Sequence, residues 1–351
     1  MALFSIKHIR LAGICAVVPG KTESNLDYDS ITTEERQRLI KYVGIERRRV
    51  APDGITTSDL CFEAADNLIR KLGWDTAEIQ IVIFVSQSPD YYLPATAVIL
   101  QDRLGLSRNC LAFDINLGCS GYVYGLSVIS AMMTGSGIRK GLLLTGDISS
   151  RYCSKEDKST YPMFGDAGSA TAIELNDDQE ACHFNLMSDG SSHQAIIVPD
   201  GGCRNWFSET SLMKADISKG IKRSRLDLAL NGIDVFNFSI NRVPKLIKEL
   251  LDFSETEIDD YDYFVFHQAN RLINETIRKK LAIDPEKLPY SISEFGNTSS
   301  ASIPLTIVSQ INEDFETRPL SMLLCGFGVG LSWGAVALKT RMPKCLPVIE
   351  V

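Results

Sequence analysis

The sequence Phe113-Asp-Ile-Asn-Leu-Gly-Cys119-Ser-Gly-Tyr-Val-Tyr-Gly-Leu126 carries the clearest structural signal in this chain of 351 residues. Its first residues are apolar and typical of a strand, Gly118 indicates a tight turn, and a helical pattern begins near Ser120. Cys119 is therefore predicted at a strand-to-helix junction, where unpaired backbone N–H groups and the helix dipole favour a nucleophilic thiolate. The alternative is that Cys119 is a small buried apolar residue, as most free cysteines are.

Strand and helix patterns alternate on both sides of this junction, which is typical of a layered α/β fold. Apolar and β-branched runs predict strands over residues 6–18, 79–86, 110–117 and 141–146. Helical spacing predicts helices over residues 33–42, from Ser58 to Gly73, and over 96–104 and 120–133. At 351 residues, the chain is long enough for two cores or one large layered core.

The second half of the sequence repeats landmarks of the first half at offsets of 177 to 180 residues. The matched positions are Val18 with Val198, Phe84 with Phe264, Leu104 with Leu281, Cys119 with Asn297, and Gly141 with Ser321. This spacing predicts a duplicated α/β unit with halves at residues 1–178 and 179–351. Because functional loops lie at strand carboxyl ends, a pseudo-twofold axis would bring Asn297 close to Cys119, with His267 near both.

Composition narrows the possible functions and the compartment. The net charge of −8 and the pI of about 5.2 argue against recognition of nucleic acid by bulk charge. The nine cysteines are scattered without a Cys-x-x-Cys pair, so neither a disulfide framework nor a metal site is predicted, and a reducing compartment fits. The apolar run at residues 11–18 is too short to span a membrane. We expect a cytoplasmic protein without membrane contact.

Three features could complete a catalytic site around Cys119. His267 follows the apolar run Phe264-Val-Phe, Asn297 lies in a probable turn, and residues 326–334 form a glycine-rich segment. Separately, these features also suit a structural histidine, a turn asparagine and a plain turn. Together, they suit transfer of an acyl group to the thiol, followed by enolate stabilisation in a decarboxylative Claisen condensation. A papain-like protease also uses Cys, His and Asn, but the strand-turn-helix context and the duplication do not suit that fold.

Five motifs resemble the β-ketoacyl-acyl-carrier-protein synthase III family of the thiolase superfamily. They begin at Asp114 (DINLGCSG), Phe164 (FGDAG), His267 (HQAN), Gly296 (GNTSSA) and Phe327 (FGVGLSWG). The resemblance covers residues 5–340 and implies a five-layered αβαβα thiolase fold and a homodimer. It also implies that Cys119 carries the acyl group while His267 and Asn297 assist decarboxylation of a malonyl thioester. Backbone N–H groups of Cys119 and Val329 would form the oxyanion hole.

The same resemblance assigns the substrate-binding residues. Leu93 of a partner subunit would cap the acyl tunnel, with Phe327 at its gate, and a Leu at position 93 would admit longer or branched acyl chains. Pantetheine or coenzyme A would lie near Arg38, Tyr42, Lys158, Ala269 and Asn270. Acyl carrier protein would dock on Arg271, Arg278, Lys279 and Lys280. No cofactor is expected, because coenzyme A or phosphopantetheine thioesters are the substrates.

The sequence leaves three other interpretations of the function open. A member of the same family could transfer or hydrolyse the acyl group without condensation. A degradative thiolase would need a second thiol, for which Cys325 is the candidate. A non-catalytic partner subunit would keep the fold, but such a subunit is expected to lose part of the Cys-His-Asn set, which this chain retains.

Overall fold

The computed structural model describes residues 2–351 as two packed β-sheets with helices between and outside them. The helices are α1 (Thr33–Val43), α2 (Thr57–Leu72), α3 (Thr96–Arg103), α4 (Gly121–Ser136), α5 (Gly232–Ser254), α6 (Arg271–Leu281), α7 (Ile292–Phe295), α8 (Ser302–Gln310) and α9 (Asn312–Thr317). The strands are β1 (Ala2–Ile6), β2 (Ile9–Val18), β3 (Thr22–Ser24), β4 (Arg47–Arg49), β5 (Ile81–Val85), β6 (Leu111–Ile115), β7 (Lys140–Asp147), β8 (Ala167–Leu175), β9 (Cys182–Ser188), β10 (Ile196–Ile197), β11 (Ala215–Ser218), β12 (Ile221–Arg223), β13 (Ala229–Leu230), β14 (Tyr263–Phe266), β15 (Pro319–Gly328), β16 (Ser332–Arg341), β17 (Lys344–Cys345) and β18 (Ile349–Glu350).

The two large sheets share one strand order, which confirms the predicted duplication. The first sheet runs β17-β2-β8-β7-β5-β6, and β18 also pairs with β2. The second sheet runs β1-β9-β16-β15-β14. Counted within each half of the chain, β5-β7-β8-β2 and β14-β15-β16-β9 are the same series, parallel at the first pair and antiparallel at the next two.

Three hydrophobic clusters hold the helices and the two large sheets together in layers. The cluster between the sheets joins their inner faces to α4 and α8 through residues such as Val123 and Ile303. A second cluster packs α2 and α3 on the outer face of the first sheet, with Leu60 and Leu100 buried. A third packs α5 and α6 on the outer face of the second sheet, with Leu246 and Ile277 buried. The layers therefore follow the order αβαβα, as predicted.

Three of the five repeated landmark pairs lie on equivalent elements. In the fourth pair, Cys119 and Asn297 both lie in turns ahead of the central helices α4 and α8, but Cys119 follows β6 whereas Asn297 follows α7. The fifth pair does not match. Phe84 lies in β5 and Phe264 in β14, while the residues that follow α3 and α6 adopt left-handed backbone at Gly105 and Ala282. The match of Val18 with Val198 is wrong, because β9 already ends at Ser188 and Val198 lies in the irregular segment after β10. A three-residue resemblance around a Pro-Gly turn was too short to fix the register.

Both ends of the chain pair with the sheet of the opposite half. Strand β1 pairs with β9 in the second sheet, and β17 and β18 pair with β2 in the first. The boundary between residues 178 and 179 stays a prediction. Each half of the chain also contributes terminal strands to the sheet of the other half. Among residues 2–351, no helix is long and apolar enough to cross a membrane.

Candidate active site

Cys119 lies in the turn between β6 and α4, as the sequence predicts. Strand β6 ends at Ile115, α4 begins at Gly121, and the N–H of Gly121 donates to the carbonyl of Gly118 at 2.7 Å. The turn is crowded, since a β-carbon at position 118 would lie 2.4 Å from Gln87 Oε1. A larger residue at position 118 would have to displace the Gln87 side chain, and the turn places the thiol just beyond the carboxyl end of β6 in the first sheet.

The electrostatic surroundings of Cys119 differ from the sequence-based expectation of a thiolate. Burial, together with the charge of Asp147, raises the pKa of the Cys119 thiol to about 11. Backbone N–H groups of Val329 and Cys119 and the hydroxyl of Ser299 act in the opposite direction but do not outweigh burial. The expected net shift was therefore wrong in sign, because Cys119 is only 8% exposed. With this pKa, the thiol is neutral at physiological pH.

His267 follows β14 directly and is fully buried. Its ring nitrogen Nδ1 lies 2.7 Å from Ser302 Oγ, and its ring meets the Phe327 ring edge-on, with 5.7 Å between centroids. Within residues 2–351, Nε2 has no hydrogen-bond partner. Burial lowers the pKa of His267 to about 3, so the imidazole is neutral. When the Ser302 hydroxyl donates to Nδ1, the ring proton resides on Nε2.

Asn297 is held in place by backbone hydrogen bonds to the Phe-Gly-Asp segment. Its N–H donates to the carbonyl of Met163 at 2.9 Å, and its carbonyl accepts from the N–H of Gly165 at 3.1 Å. The side-chain Oδ1 accepts from the N–H of Ser299 at 3.0 Å. This contact fixes the orientation of the amide, so its NH₂ group remains available as a donor.

Cys119, His267 and Asn297 line one cavity of about 1300 Å³. Phe327, Val329, Ala269 and Asn270 line it too, so seven residues singled out in the sequence meet there. The cavity also has an apolar wall that the sequence did not reveal, formed by Ile196, Ile197, Val198, Leu226, Leu228 and Leu230. Cys325 is fully buried in the outer cluster of the second sheet and lies outside this cavity.

Four other predicted site residues do not line the cavity. Arg38 and Tyr42 are exposed on α1. Lys158 pairs with Glu35 of the same chain, with 3.1 Å between Nζ and Oε1. Leu93 is 86% exposed and does not line the cavity of its own subunit. Their assigned roles stay predictions.

The basic residues of α6 differ in whether their side chains already bind other groups of the same chain. Arg278 contacts Glu275 at 3.0 Å and donates to the carbonyl of Ile283 at 2.8 Å. Both contacts stabilise the carboxyl end of the helix. Lys280 donates to the carbonyl of Ile240 at 2.8 Å, and Arg271 stacks over Tyr290. Lys279 is exposed and forms no ion pair in the described part of the chain.

Sequence reasoning missed Asp147, a fully buried carboxylate that also lines the cavity. It ends β7, and the only signal was an acidic residue directly after the apolar run Leu142-Leu-Leu-Thr-Gly. Its oxygens accept from the N–H of Gln87 at 2.7 Å and from Ser300 Oγ at 2.9 Å. These hydrogen bonds connect the half of the chain that contains Cys119 to the turn that contains Asn297.

A duplicated αβαβα architecture with Cys, His and Asn around one cavity defines a thiolase-fold protein with a cysteine at its centre. Two family models match the chain, described as 3-oxoacyl-[acyl-carrier-protein (ACP)] synthase III over residues 113–190 and as its C-terminal part over residues 251–340. The chain belongs to the 3-oxoacyl-[acyl-carrier-protein] synthase III family, as its motifs predicted.

Individual relatives agree over nearly the whole chain. A putative 3-oxoacyl-[acyl-carrier-protein] synthase 3 of Campylobacter jejuni is 33% identical over 344 residues, covering 95% of this chain and 94% of the relative. A β-ketoacyl-[acyl-carrier-protein] synthase III of Streptococcus pneumoniae is 31% identical and covers 94% of this chain and 98% of the relative. The crystal structure of a 3-oxoacyl-(acyl-carrier protein) synthase from Burkholderia xenovorans superposes with a TM-score of 0.94 at 36% identity, covering 99% of both chains.

Proposed function

We propose that this protein is an acyltransferase that condenses an acyl thioester with malonyl-acyl carrier protein in fatty-acid or related biosynthesis. The observation that carries the proposal is the convergence of Cys119, His267 and Asn297 on one cavity. The names of its relatives support the reaction class and the carrier-protein partner. The reaction needs no cofactor beyond the thioester substrates. We further propose a cytoplasmic homodimer.

The first half-reaction is acyl transfer to Cys119. The sulfur attacks the thioester carbonyl carbon, and the carbonyl oxygen becomes negatively charged in the tetrahedral adduct. The backbone N–H groups of Cys119 and Val329 both act to lower the pKa of the thiol, which places them in its immediate surroundings. They are therefore suited to stabilise that oxygen. Collapse of the adduct releases the donor thiol and leaves the acyl group on Cys119.

The second half-reaction is decarboxylative condensation. Loss of carbon dioxide from the malonyl thioester leaves an electron pair that develops into an enolate, whose charge gathers on the thioester oxygen. The neutral His267 donates from Nε2, and Asn297 donates from its amide, to this oxygen. The enolate carbon then attacks the acyl carbonyl on Cys119, and the released sulfur regenerates the thiol. A neutral imidazole suits this role because it donates without first needing a proton from solvent.

The cavity supports an acyl group larger than acetyl. Its apolar wall, from Ile196 to Val198 and from Leu226 to Leu230, provides surface along which a chain of several methylenes would be buried. We propose that the pantetheine arm enters past Ala269 and Asn270, and that Leu93 of the partner subunit and Phe327 bound the acyl end. Arg38, Tyr42 and Lys158 lie outside the cavity, so any contact they make is to the nucleotide end of coenzyme A.

The test combines two measurements on the full-length protein. Acyl-coenzyme A substrates of graded length are incubated with malonyl-acyl carrier protein, and β-ketoacyl products and the mass of the intact protein are recorded. We expect acylation of Cys119 and a condensation product, both absent in Cys119→Ala and present in Cys325→Ala. An active Cys119→Ala variant contradicts the proposal. Acyl release that does not depend on malonyl thioester would instead identify a transferase or thioesterase.

A further inference from the structure

Arg48 is a buried arginine in β4 that does not itself line the cavity. It lies opposite Glu23 in the pairing of β3 with β4, and its Nη2 group donates to Glu23 Oε2 at 2.9 Å. Tyr161 donates to the same carboxylate oxygen at 2.8 Å, and the Arg48 guanidinium lies 4.7 Å from the centre of the Tyr161 ring. An ion pair and an aromatic ring therefore hold the guanidinium in one orientation.

The second arm of this guanidinium binds the segment that holds the backbone of Asn297. Nη1 of Arg48 donates to the carbonyl of Phe164 at 2.9 Å. The peptide groups on both sides of that carbonyl contact Asn297. The carbonyl of Met163 accepts from the N–H of Asn297 at 2.9 Å, and the N–H of Gly165 donates to the carbonyl of Asn297 at 3.1 Å. Phe164 and Asn297 thus pair as an isolated parallel β-bridge, and Arg48 fixes one side of it.

The aliphatic stem of Arg48 packs on the other side of this bridge. A β-carbon at Gly296, the residue before Asn297, would lie 3.1 Å from Arg48 Cγ and 2.9 Å from the carbonyl oxygen of Met163. Gly296 also has left-handed backbone (φ 68°), which glycine adopts without strain. One side chain therefore contacts both the residue before Asn297 and the segment to which Asn297 is hydrogen-bonded.

We propose that Arg48 is a positioning residue for decarboxylation of the malonyl thioester, because it fixes the turn from which the Asn297 amide donates. The inference rests on the proposed function, since the role of Asn297 belongs to the second half-reaction. A shift of a few tenths of an ångström in this turn would move the amide away from the thioester oxygen on which charge develops. The hydrogen bonds of Arg48 within residues 2–351 go to Glu23 and Phe164 and not to the turn that contains Cys119. Acylation of Cys119 should therefore not depend on Arg48.

Loss of the guanidinium should leave the protein folded. Glu23 would keep the hydrogen bond from Tyr161 and an ion pair with Lys21, with 3.0 Å between Nζ and Oε1. The carboxylate would therefore not be left without partners, which is the costly outcome when one member of a buried ion pair is removed. Arg48→Met keeps an apolar stem against Gly296 and removes both hydrogen bonds.

The experiment measures the two half-reactions separately in Arg48→Met. Acylation of Cys119 by acetyl-, butyryl-, hexanoyl- and octanoyl-coenzyme A is followed by rapid quench and intact-protein mass. Release of labelled carbon dioxide from malonyl-acyl carrier protein is then followed on the acylated protein. We expect acylation to stay within about twofold of the wild type, and carbon dioxide release to slow about 30-fold. The loss should lie in kcat with an unchanged KM for malonyl-acyl carrier protein, because the oxygen gains its charge only in the transition state.

A double variant tests whether Arg48 acts through Asn297. Asn297→Ala removes the donor itself and should slow carbon dioxide release about 100-fold. Adding Arg48→Met to Asn297→Ala should cause no further loss, because the amide that Arg48 positions is then absent. Losses that multiply in the double variant mean that Arg48 acts on decarboxylation by another route, and they overturn the proposal.

Arg47→Met is the matched control. Arg47 is the neighbour of Arg48 in the same strand, but its guanidinium forms a solvent-accessible ion pair with Glu294, with 3.2 Å between Nε and Oε2. Exposed ion pairs contribute little, so both half-reactions of Arg47→Met should stay within about twofold of the wild type. Decarboxylation that falls equally in Arg47→Met and Arg48→Met contradicts a specific role of Arg48.

Arg48→Lys provides a second test if Arg48→Met does not fold. Its ammonium keeps the positive charge opposite Glu23 but lacks the fork that binds Glu23 and Phe164 together, so carbon dioxide release should slow about tenfold. Decarboxylation at the wild-type rate in this variant, or an equal loss in both half-reactions, overturns the proposal. A wild-type protein that none of the thioesters acylates contradicts the proposed function instead, and this result is recognised before any variant is compared.

Discussion

Gly328 lies directly against Cys119. A β-carbon at position 328 would come within 2.6 Å of Cys119 Cβ and 2.7 Å of its Sγ, closer than side chains approach one another. Gly328 ends β15, the strand paired with β14, which leads to His267. The same glycine-rich segment therefore covers the thiol, and the N–H of the next residue, Val329, acts to lower the pKa of that thiol.

Gly328→Ala should strongly slow acyl transfer while leaving the fold intact. The added methyl group has to displace either the thiol or the turn, and a shift of a few tenths of an ångström misaligns the Val329 N–H. We expect kcat/KM to fall by about 100-fold or more. The measurement is the rate of Cys119 acylation, with circular dichroism and thermal unfolding recorded on the same samples.

Gly135→Ala is the matched control for that substitution. Gly135 lies in α4, and no atom lies within 4 Å of the position where its β-carbon would be. Replacing an open helical glycine by alanine should stabilise the protein by about 0.5–1 kcal/mol and leave acylation unchanged. If Gly328→Ala behaves like Gly135→Ala, the close approach to Cys119 has no catalytic importance.

The hydrophobic pattern of the sequence and the order of its strands and helices predicted most of the fold. The junction at Gly118 and Cys119 was predictable because a strand, a glycine and a helical run leave few alternatives for the backbone. The presence of Cys119 and Asn297 in one cavity was predictable from the repeat, since both residues lie in turns that precede the central helices α4 and α8. Helical spacing likewise predicted α1, whose first turn is stabilised by a capping box in which both reciprocal hydrogen bonds between Thr32 and Glu35 are present.

The electrostatics of the site were not predictable from the sequence. Spacing shows that Cys119 precedes a helix, but the pKa of its thiol depends on how completely the second sheet covers it, which is a tertiary property. Asp147 was missed for the same reason, because an acidic residue after a strand usually faces solvent. The predicted contact of Leu93 is with the cavity of a partner subunit, so it depends on assembly and not on the fold of one chain.

Burial of neutral His267 makes part of the folding stability depend on pH. The pKa of His267 is about 3 in the folded protein and near 6.5 when unfolded. Below about pH 6.5, the unfolded chain therefore binds a proton that the folded protein does not, and stability falls as the pH falls. Between about pH 7.5 and pH 5, this histidine should cost about 2 kcal/mol of unfolding free energy.

The comparison variant for this effect is His267→Gln, whose side chain does not titrate. Urea unfolding at the two pH values should show a loss in the wild type that exceeds the loss in His267→Gln by about 2 kcal/mol. All other titrating groups contribute equally to both proteins and cancel. An equal loss in the two proteins would mean that His267 titrates normally and is not buried as described.

The apolar wall should set the upper limit of acyl-chain length. Leu228 lies on that wall, and its N–H donates to the carbonyl of Tyr152, which fixes its backbone. In Leu228→Trp, the larger ring occupies space that a long chain needs, so acylation by octanoyl-coenzyme A should drop at least about tenfold relative to acetyl-coenzyme A. Leu212→Trp is the control, because Leu212 is 61% exposed and lies off the cavity. A uniform loss for all chain lengths would place the acyl chain elsewhere.

Docking of an acidic carrier protein should depend on Lys279 more than on its neighbours in α6. Arg278 and Lys280 already bind groups of their own chain, so their charges are partly used, whereas Lys279 is exposed without an ion pair in the described residues. Lys279→Glu reverses a free charge in the last turn of α6, the helix that follows Ala269 and Asn270 at the cavity. The KM for malonyl-acyl carrier protein should rise about three- to tenfold at low salt, and the KM for acyl-coenzyme A should not change.

Salt and a remote charge reversal separate docking from a general effect of charge. At about 0.5 M salt the difference between wild type and Lys279→Glu should shrink, because exposed charges are then screened within a few ångströms. Lys7→Glu makes the same change in net charge just after β1, which lies at the opposite edge of the second sheet from β14 and His267. Its KM for malonyl-acyl carrier protein should match the wild type. If Lys7→Glu and Lys279→Glu raise this KM equally, the carrier protein responds to total charge and does not dock on α6.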